Sequence, residues 1–229
     1  IEHLLDKQQR IEFNRPFGCI NLEFGSTTDV LPRLDWSKTS IVWLDYDGPI
    51  SRDILSDLTF LSQNLTSGSM LLFTLRAKRE DFGGGQPPNL AERLRALEER
   101  IGRSVPSGIQ AQDLSNFAEV LRRITTVAIN DGLIDRNAAL SIREQLSYRQ
   151  VMNFLYNDGT PMVTFGGVIA SASDMTKFYQ GRWKRSLAYR PDAQSLVIKA
   201  PIFTFKERRH LEEQFPSVAA SPGVPESDI

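Results

Sequence analysis

The hydrophobic positions of this chain change period several times, and each change predicts an element. Leu4–Phe13 has helical spacing, with Leu4, Leu5 and Ile11 on one face and Pro16 preventing continuation. Cys19–Phe24 is a strand candidate, and a hydroxyl among Ser26, Thr27 and Thr28 can cap a short helix through Leu34. Ile41–Leu44 is a continuous apolar run, expected to be a strand buried on both faces. Ile54, Leu55, Leu58 and Leu61 then form a helical stripe ending near Ser67-Gly68, and Met70–Leu75 is a second apolar strand. The order helix, strand, helix, strand predicts an α/β fold with a doubly wound, mostly parallel sheet.

Beyond Arg76 the pattern becomes irregular. Residues 78–88 are charged and then rich in Gly and Pro, which predicts a loop. Leu90–Ile101 is a charged amphipathic helix with Arg93, Arg95 and Arg100 expected on its solvated face, and a second helix covers about Leu114–Asn130. Residues 78–147 thus form a helical insert. Tyr148–Leu155 and Met162–Ile169 flank Asn157-Asp158-Gly159, the strongest hairpin signal in the chain. Gly166-Gly167 inside the second strand predicts a bulge or a close backbone approach. Thr176–Tyr189 mixes aromatics and cations and is expected to cap the sheet with its rings. Ser195–Lys199 is a short strand, Thr204 or Phe205 caps a helix to Gln214, and 217–229 is expected to be a disordered tail. The whole is expected to form one domain over 1–216.

Composition narrows the classes. With 229 residues, 41% of them hydrophobic, the chain can bury a sizeable core. A formal net charge of −1 gives no nucleic-acid footprint. Nothing approaches the roughly 20 apolar residues that span a bilayer. One cysteine, Cys19, favours a reducing, cytoplasmic setting, and it is expected in the core; with two histidines it forms no zinc spacing. The chain opens at Ile1-Glu2 as though a strand were already ending, so part of the natural protein is expected upstream.

The candidate chemistry lies in Trp43-Leu44-Asp45-Tyr46-Asp47-Gly48. Ligands of open α/β sheets bind outside the carboxyl ends of the strands, where Asp45 and Asp47 are expected. Either carboxylate alone could equally cap the next helix.

That segment, with Ile1-Glu2, Arg10–Phe17, Cys19–Gly25, Val30-Leu31-Pro32, Leu34-Asp35-Trp36 and Gly68–Thr74, resembles a bacterial group of putative O-methyltransferases with the class I S-adenosylmethionine-dependent, Rossmann-like fold. The resemblance covers most of 1–75 and, more weakly, the antiparallel hairpin near the C-terminus. It implies S-adenosylmethionine as cofactor and an unidentified methyl acceptor as partner. Glu2 would accept the ribose hydroxyls. Gly25 and Ser26 stand where an acid normally holds the adenine amine, and Phe24 would lie against the ring. Asp45 would attract the cofactor's ammonium or, with Asp47, take a proton from the acceptor, while Tyr46 would face the sulfonium. The glycine-rich loop after that fold's first strand has no counterpart in this sequence.

Two other readings compete. Asp45-Tyr46-Asp47-Gly48 also has the spacing of haloacid-dehalogenase-like phosphohydrolases, where the first acid is the nucleophile and Mg²⁺ offsets phosphate charge. Pro49 departs from that pattern, and Asn130–Asp135 is the sole source of the later acids. The third reading is a non-catalytic α/β domain used for binding or assembly.

Overall fold

The computed structural model describes residues 7–83, 89–157, 159–199 and 204–214. They fall into two compact units, one spanning Thr27–Lys199 and the other drawn from Ile1–Ser26 and Ala200–Ile229.

The larger unit is built on a five-stranded mixed sheet. In chain order the helices and strands are α1 (Gln8–Phe13), α2 (Thr27–Val30), β1 (Ile41–Asp45), α3 (Arg52–Asn64), β2 (Ser69–Arg76), α4 (Leu90–Ile101), α5 (Phe117–Asn137), β3 (Leu146–Asn157), β4 (Pro161–Ser171), α6 (Ala172–Gln180), β5 (Leu196–Ile198) and α7 (Phe205–Glu212). The strand order is β1-β2-β4-β3-β5. β1 and β2 are parallel, as are β3 and β5, whereas β4 is antiparallel to both β2 and β3. Four of the five strands therefore point one way, and the second arm of the hairpin slots between β2 and β3 instead of lying at an edge.

Alternation across the pleat sorts the side chains into two layers. Leu44, Leu71, Phe73, Leu75, Val163, Phe165 and Ile169 pack with Leu58 and Leu61 of α3, Leu97 of α4, and Leu121 and Ile124 of α5 in one apolar cluster. Phe73 and Phe165 are register partners, with ring centroids 5.7 Å apart and planes tilted by 56°. Each is about 1% exposed, so each contributes about 1.5–3 kcal/mol of burial, with about 0.5–1.5 kcal/mol more from the ring pair. On the opposite face Val151, Val168 and Ala170 meet Met175 of α6, with Phe178 and Tyr189 against them. Phe178 and Tyr189 supply part of the ring cap expected from 176–189; the side chain of Trp183 lies outside the described residues.

Several expectations are corrected. β1 is not buried on both faces: Ile41 is 77% and Trp43 63% exposed, because β1 is a sheet edge among the described residues and only its other face meets α3. Cys19–Phe24 forms no strand, and Cys19 is exposed rather than in the core. A strand needs a neighbour for its backbone groups, and none of the described residues pairs with this stretch. Burial nonetheless alternates through Ile20, Leu22 and Phe24 in the manner of extended chain. Arg93 is buried, not solvated; its Nε donates to Gly83 O at 2.6 Å and its Nη1 to Glu80 Oε1 at 3.3 Å, tying α4 to the chain after β2. The helix expected over 114–130 begins at Phe117, after a 3-10 turn over Ala111–Asn116, and runs on to Asn137.

In the smaller unit α1 is capped by Asn14, whose Nδ2 donates to Arg10 O, and Thr204 opens α7 through a capping box with Glu207. The tail at 217–229, Leu4 and Leu5, and Asp158 of the hairpin turn lie outside the described residues.

The expected irregularity at Gly166-Gly167 is a bulge in the facing strand: Gln150 pairs with Gly167 and Met152 with Gly166, leaving Val151 extra. Gly167 is also where the Tyr148 ring lies on the backbone. A Cβ there would stand 2.2 Å from Tyr148 Cε2 and 2.7 Å from Arg149 O. Gly167→Ala is expected to destabilise the protein by about 1–3 kcal/mol. Gly18→Ala, where a Cβ meets nothing within 4 Å, should stay within about 0.5 kcal/mol of wild type. Chemical denaturation of the two variants measures the difference.

Candidate functional site

The carboxyl end of β1 continues past its last residue as an extension lying along β2. Tyr46 N donates to Thr74 O at 3.1 Å, and Arg76 N donates to Gly48 O at 3.1 Å. This tether keeps the chain extended, so its side chains alternate. Asp45 and Asp47 are exposed, while Tyr46 between them is half-buried against the helical layer. Among the described residues neither Asp45 nor Asp47 is given a cation or a side-chain hydrogen-bond donor.

Tyr46 turns inward because a carboxylate receives it. Its hydroxyl donates to Asp57 Oδ2 at 2.8 Å. Asp57, in the second turn of α3 and 2% exposed, also accepts from Thr28 Oγ1 at 3.2 Å and from Thr27 Oγ1. Burial pushes the Tyr46 phenol well above its ordinary pKa, and the neighbouring Asp57 adds to the rise, so the hydroxyl stays a donor.

The other face of β1 holds an aromatic platform. Trp43 and Asp45 pair in register with Leu72 and Thr74, so all four share a face. Trp43 Nε1 donates to Thr74 Oγ1 at 3.1 Å, and Thr74 Oγ1 lies 3.0 Å from Thr164 Oγ1. Thr74 is fully buried, so the hydroxyl pair fixes an indole whose ring remains largely exposed beside Asp45. Arg76, next on that face, is ion-paired with Asp81 at 2.8 Å.

A family model for putative O-methyltransferases matches residues 1–227. The chain belongs to the putative O-methyltransferase family. No curated protein matches it. No helix among the described residues is long and apolar enough to cross a membrane.

Of the residues proposed for this O-methyltransferase family member, the structure brings Asp45, Tyr46 and Asp47 together at one strand end. Phe24 is half-buried, Gly25 exposed with φ of 143°, and Ser26 half-buried, all in the smaller unit. Glu2 lies outside the described residues. Asp131 and Asp135, the later acids of the phosphohydrolase reading, are exposed residues within α5. Between them Gly132 lies against α3, where a Cβ would stand 2.8 Å from Thr59 O. No group of three or more His, Cys, Asp or Glu among the described residues could hold a metal ion.

Sequence reasoning missed Asp57, Trp43 and the Thr74–Thr164 pair. Asp57 was detectable, being three residues after Ile54 and four before Leu61, a carboxylate inside an apolar stripe. The hydroxyl pair had no local signal, since it joins residues 90 apart.

Tyr46→Phe removes one donor from a buried carboxylate and is expected to cost about 1–3 kcal/mol. A melting temperature lowered by a few degrees, with far-ultraviolet circular dichroism unchanged, is the expected readout.

Proposed function

We propose that this protein is a cytoplasmic enzyme that transfers the methyl group of S-adenosylmethionine to an acceptor oxygen, with the site at the carboxyl end of β1. The observation that carries the reading is charge: two exposed carboxylates, with no ion pair among the described residues, stand beside an exposed indole. A ligand with a sulfonium and an ammonium suits that setting, because carboxylates attract both and an aromatic face attracts cations. Trp43, open and fixed by Thr74, is better placed for the aromatic role than Tyr46, whose hydroxyl is committed to Asp57.

The donor would supply an activated methyl group, and the protein's own share is orientation and proton handling. Asp45 attracts the ammonium or, with Asp47, accepts the proton that the acceptor hydroxyl releases. Glu2 is assigned the ribose hydroxyls, Gly25 and Ser26 the adenine edge, and Phe24 its ring face. The sheet is compatible with the fold that the sequence resembles, since the antiparallel hairpin expected near the C-terminus is present, with β4 between β2 and β3.

S-Adenosylhomocysteine should raise the melting temperature of the full chain. At about 100 times its dissociation constant the gain is about 2.7 kcal/mol. Asp45→Asn should lower donor affinity, turnover or both by about tenfold or more. Glu2→Ala should weaken donor binding, and an unaltered dissociation constant removes Glu2 from the ribose. Absence of any thermal shift in wild type, measured by calorimetry, rejects the reading.

A further inference from the structure

Asp57 has no role in the chemistry above, yet it is the one buried carboxylate among the described residues of the larger unit. A buried carboxylate without a cation is costly, and it persists only when donors satisfy its oxygens. Three hydroxyls do so here, and they come from two separate segments of chain. Tyr46 lies between Asp45 and Asp47. Thr27 and Thr28 open α2, directly after Gly25-Ser26 in the sequence.

The distribution over the two oxygens matters. Tyr46 and Thr27 both donate to Oδ2, and Thr28 donates to Oδ1. Rotation of the carboxylate that released Tyr46 would therefore also disturb Thr27, and the reverse holds. An ionised carboxylate accepts only, so the direction of all three bonds is fixed. Tyr46 cannot swing out to meet a ligand without abandoning a charged acceptor. The alternation along the extension then keeps Asp45 and Asp47 turned outward.

We propose that Asp57 is a positioning residue that couples the start of α2 to the Asp45–Asp47 segment, so that a change at one is felt at the other. It supports donor binding without touching the donor. The ligand named here rests on the methyltransferase reading; the coupling does not.

Amide hydrogen exchange on the unliganded full chain tests the coupling directly. Thr27→Val removes a hydroxyl at α2 with little change of shape. The amides of Tyr46 and Arg76, whose hydrogen bonds to Thr74 O and Gly48 O tether the other segment, are expected to exchange about tenfold faster, the size expected for losing one hydrogen bond to a charged acceptor. Exchange in β4 should be unaltered. Unchanged rates at Tyr46 and Arg76 overturn the proposal.

The second arm measures S-adenosylhomocysteine dissociation constants for wild type, Thr27→Val, Tyr46→Phe and the double variant. Coupling through one carboxylate predicts a double variant weakened clearly less than the product of the two single effects. A simple product, or single variants that bind as wild type does, overturns the role in binding. If wild type does not bind this ligand, the methyltransferase reading fails, and the exchange arm alone decides whether Asp57 couples the two segments.

Discussion

Strand β4 runs against both its neighbours, and every residue from Val163 to Ser171 is buried. A strand in that position must satisfy two hydrogen-bonding edges and two packing faces at once, which leaves little freedom anywhere along it. One face meets the apolar cluster under α3, α4 and α5; the other meets Met175 of α6. Two glycines and a bulge in β3 accommodate the crowding where the Tyr148 ring crosses the backbone. Were this strand to slip by one residue, all its inward groups would change faces. The parallel strands β1 and β2 inherit their position from it.

That inheritance explains why the candidate site is polar at the rim of an apolar body. β2 is held on both edges, by β4 and by β1, and it in turn carries the extension of β1 through Thr74 and Arg76. The side chains of the extension have two destinations. One is solvent, taken by Asp45 and Asp47. The other is the helical layer, taken by Tyr46, which meets a charge there. The apolar stripe of α3 tolerates Asp57 because three hydroxyls donate to its oxygens.

Much of this was legible in local pattern. The limits of α4 follow from periodicity alone, and the hairpin follows from an Asx-Gly turn between apolar runs. The Thr204 cap is readable because Glu207 follows three residues later. What failed did so for non-local reasons. Ile41–Leu44 looks like a doubly buried strand because apolar runs carry no record of which neighbours are present. Arg93 looks solvated because its acceptors, Gly83 O and Glu80, belong to another element. Cys19–Phe24 has the alternation of a strand but no ladder partner among the described residues. At the site, the two acids at the strand end were readable from an apolar run meeting carboxylates. The turn of Tyr46 toward α3 was not, since it depends on how two elements face each other.

The sense of β3 has a further consequence. Because β3 points the same way as β1 and β2, the hairpin tip emerges at the rim that bears Asp45, and Ala77 N donates to Pro161 O at 2.7 Å just beyond β2. Lengthening or shortening that tip would change what stands beside the rim while leaving every buried strand untouched.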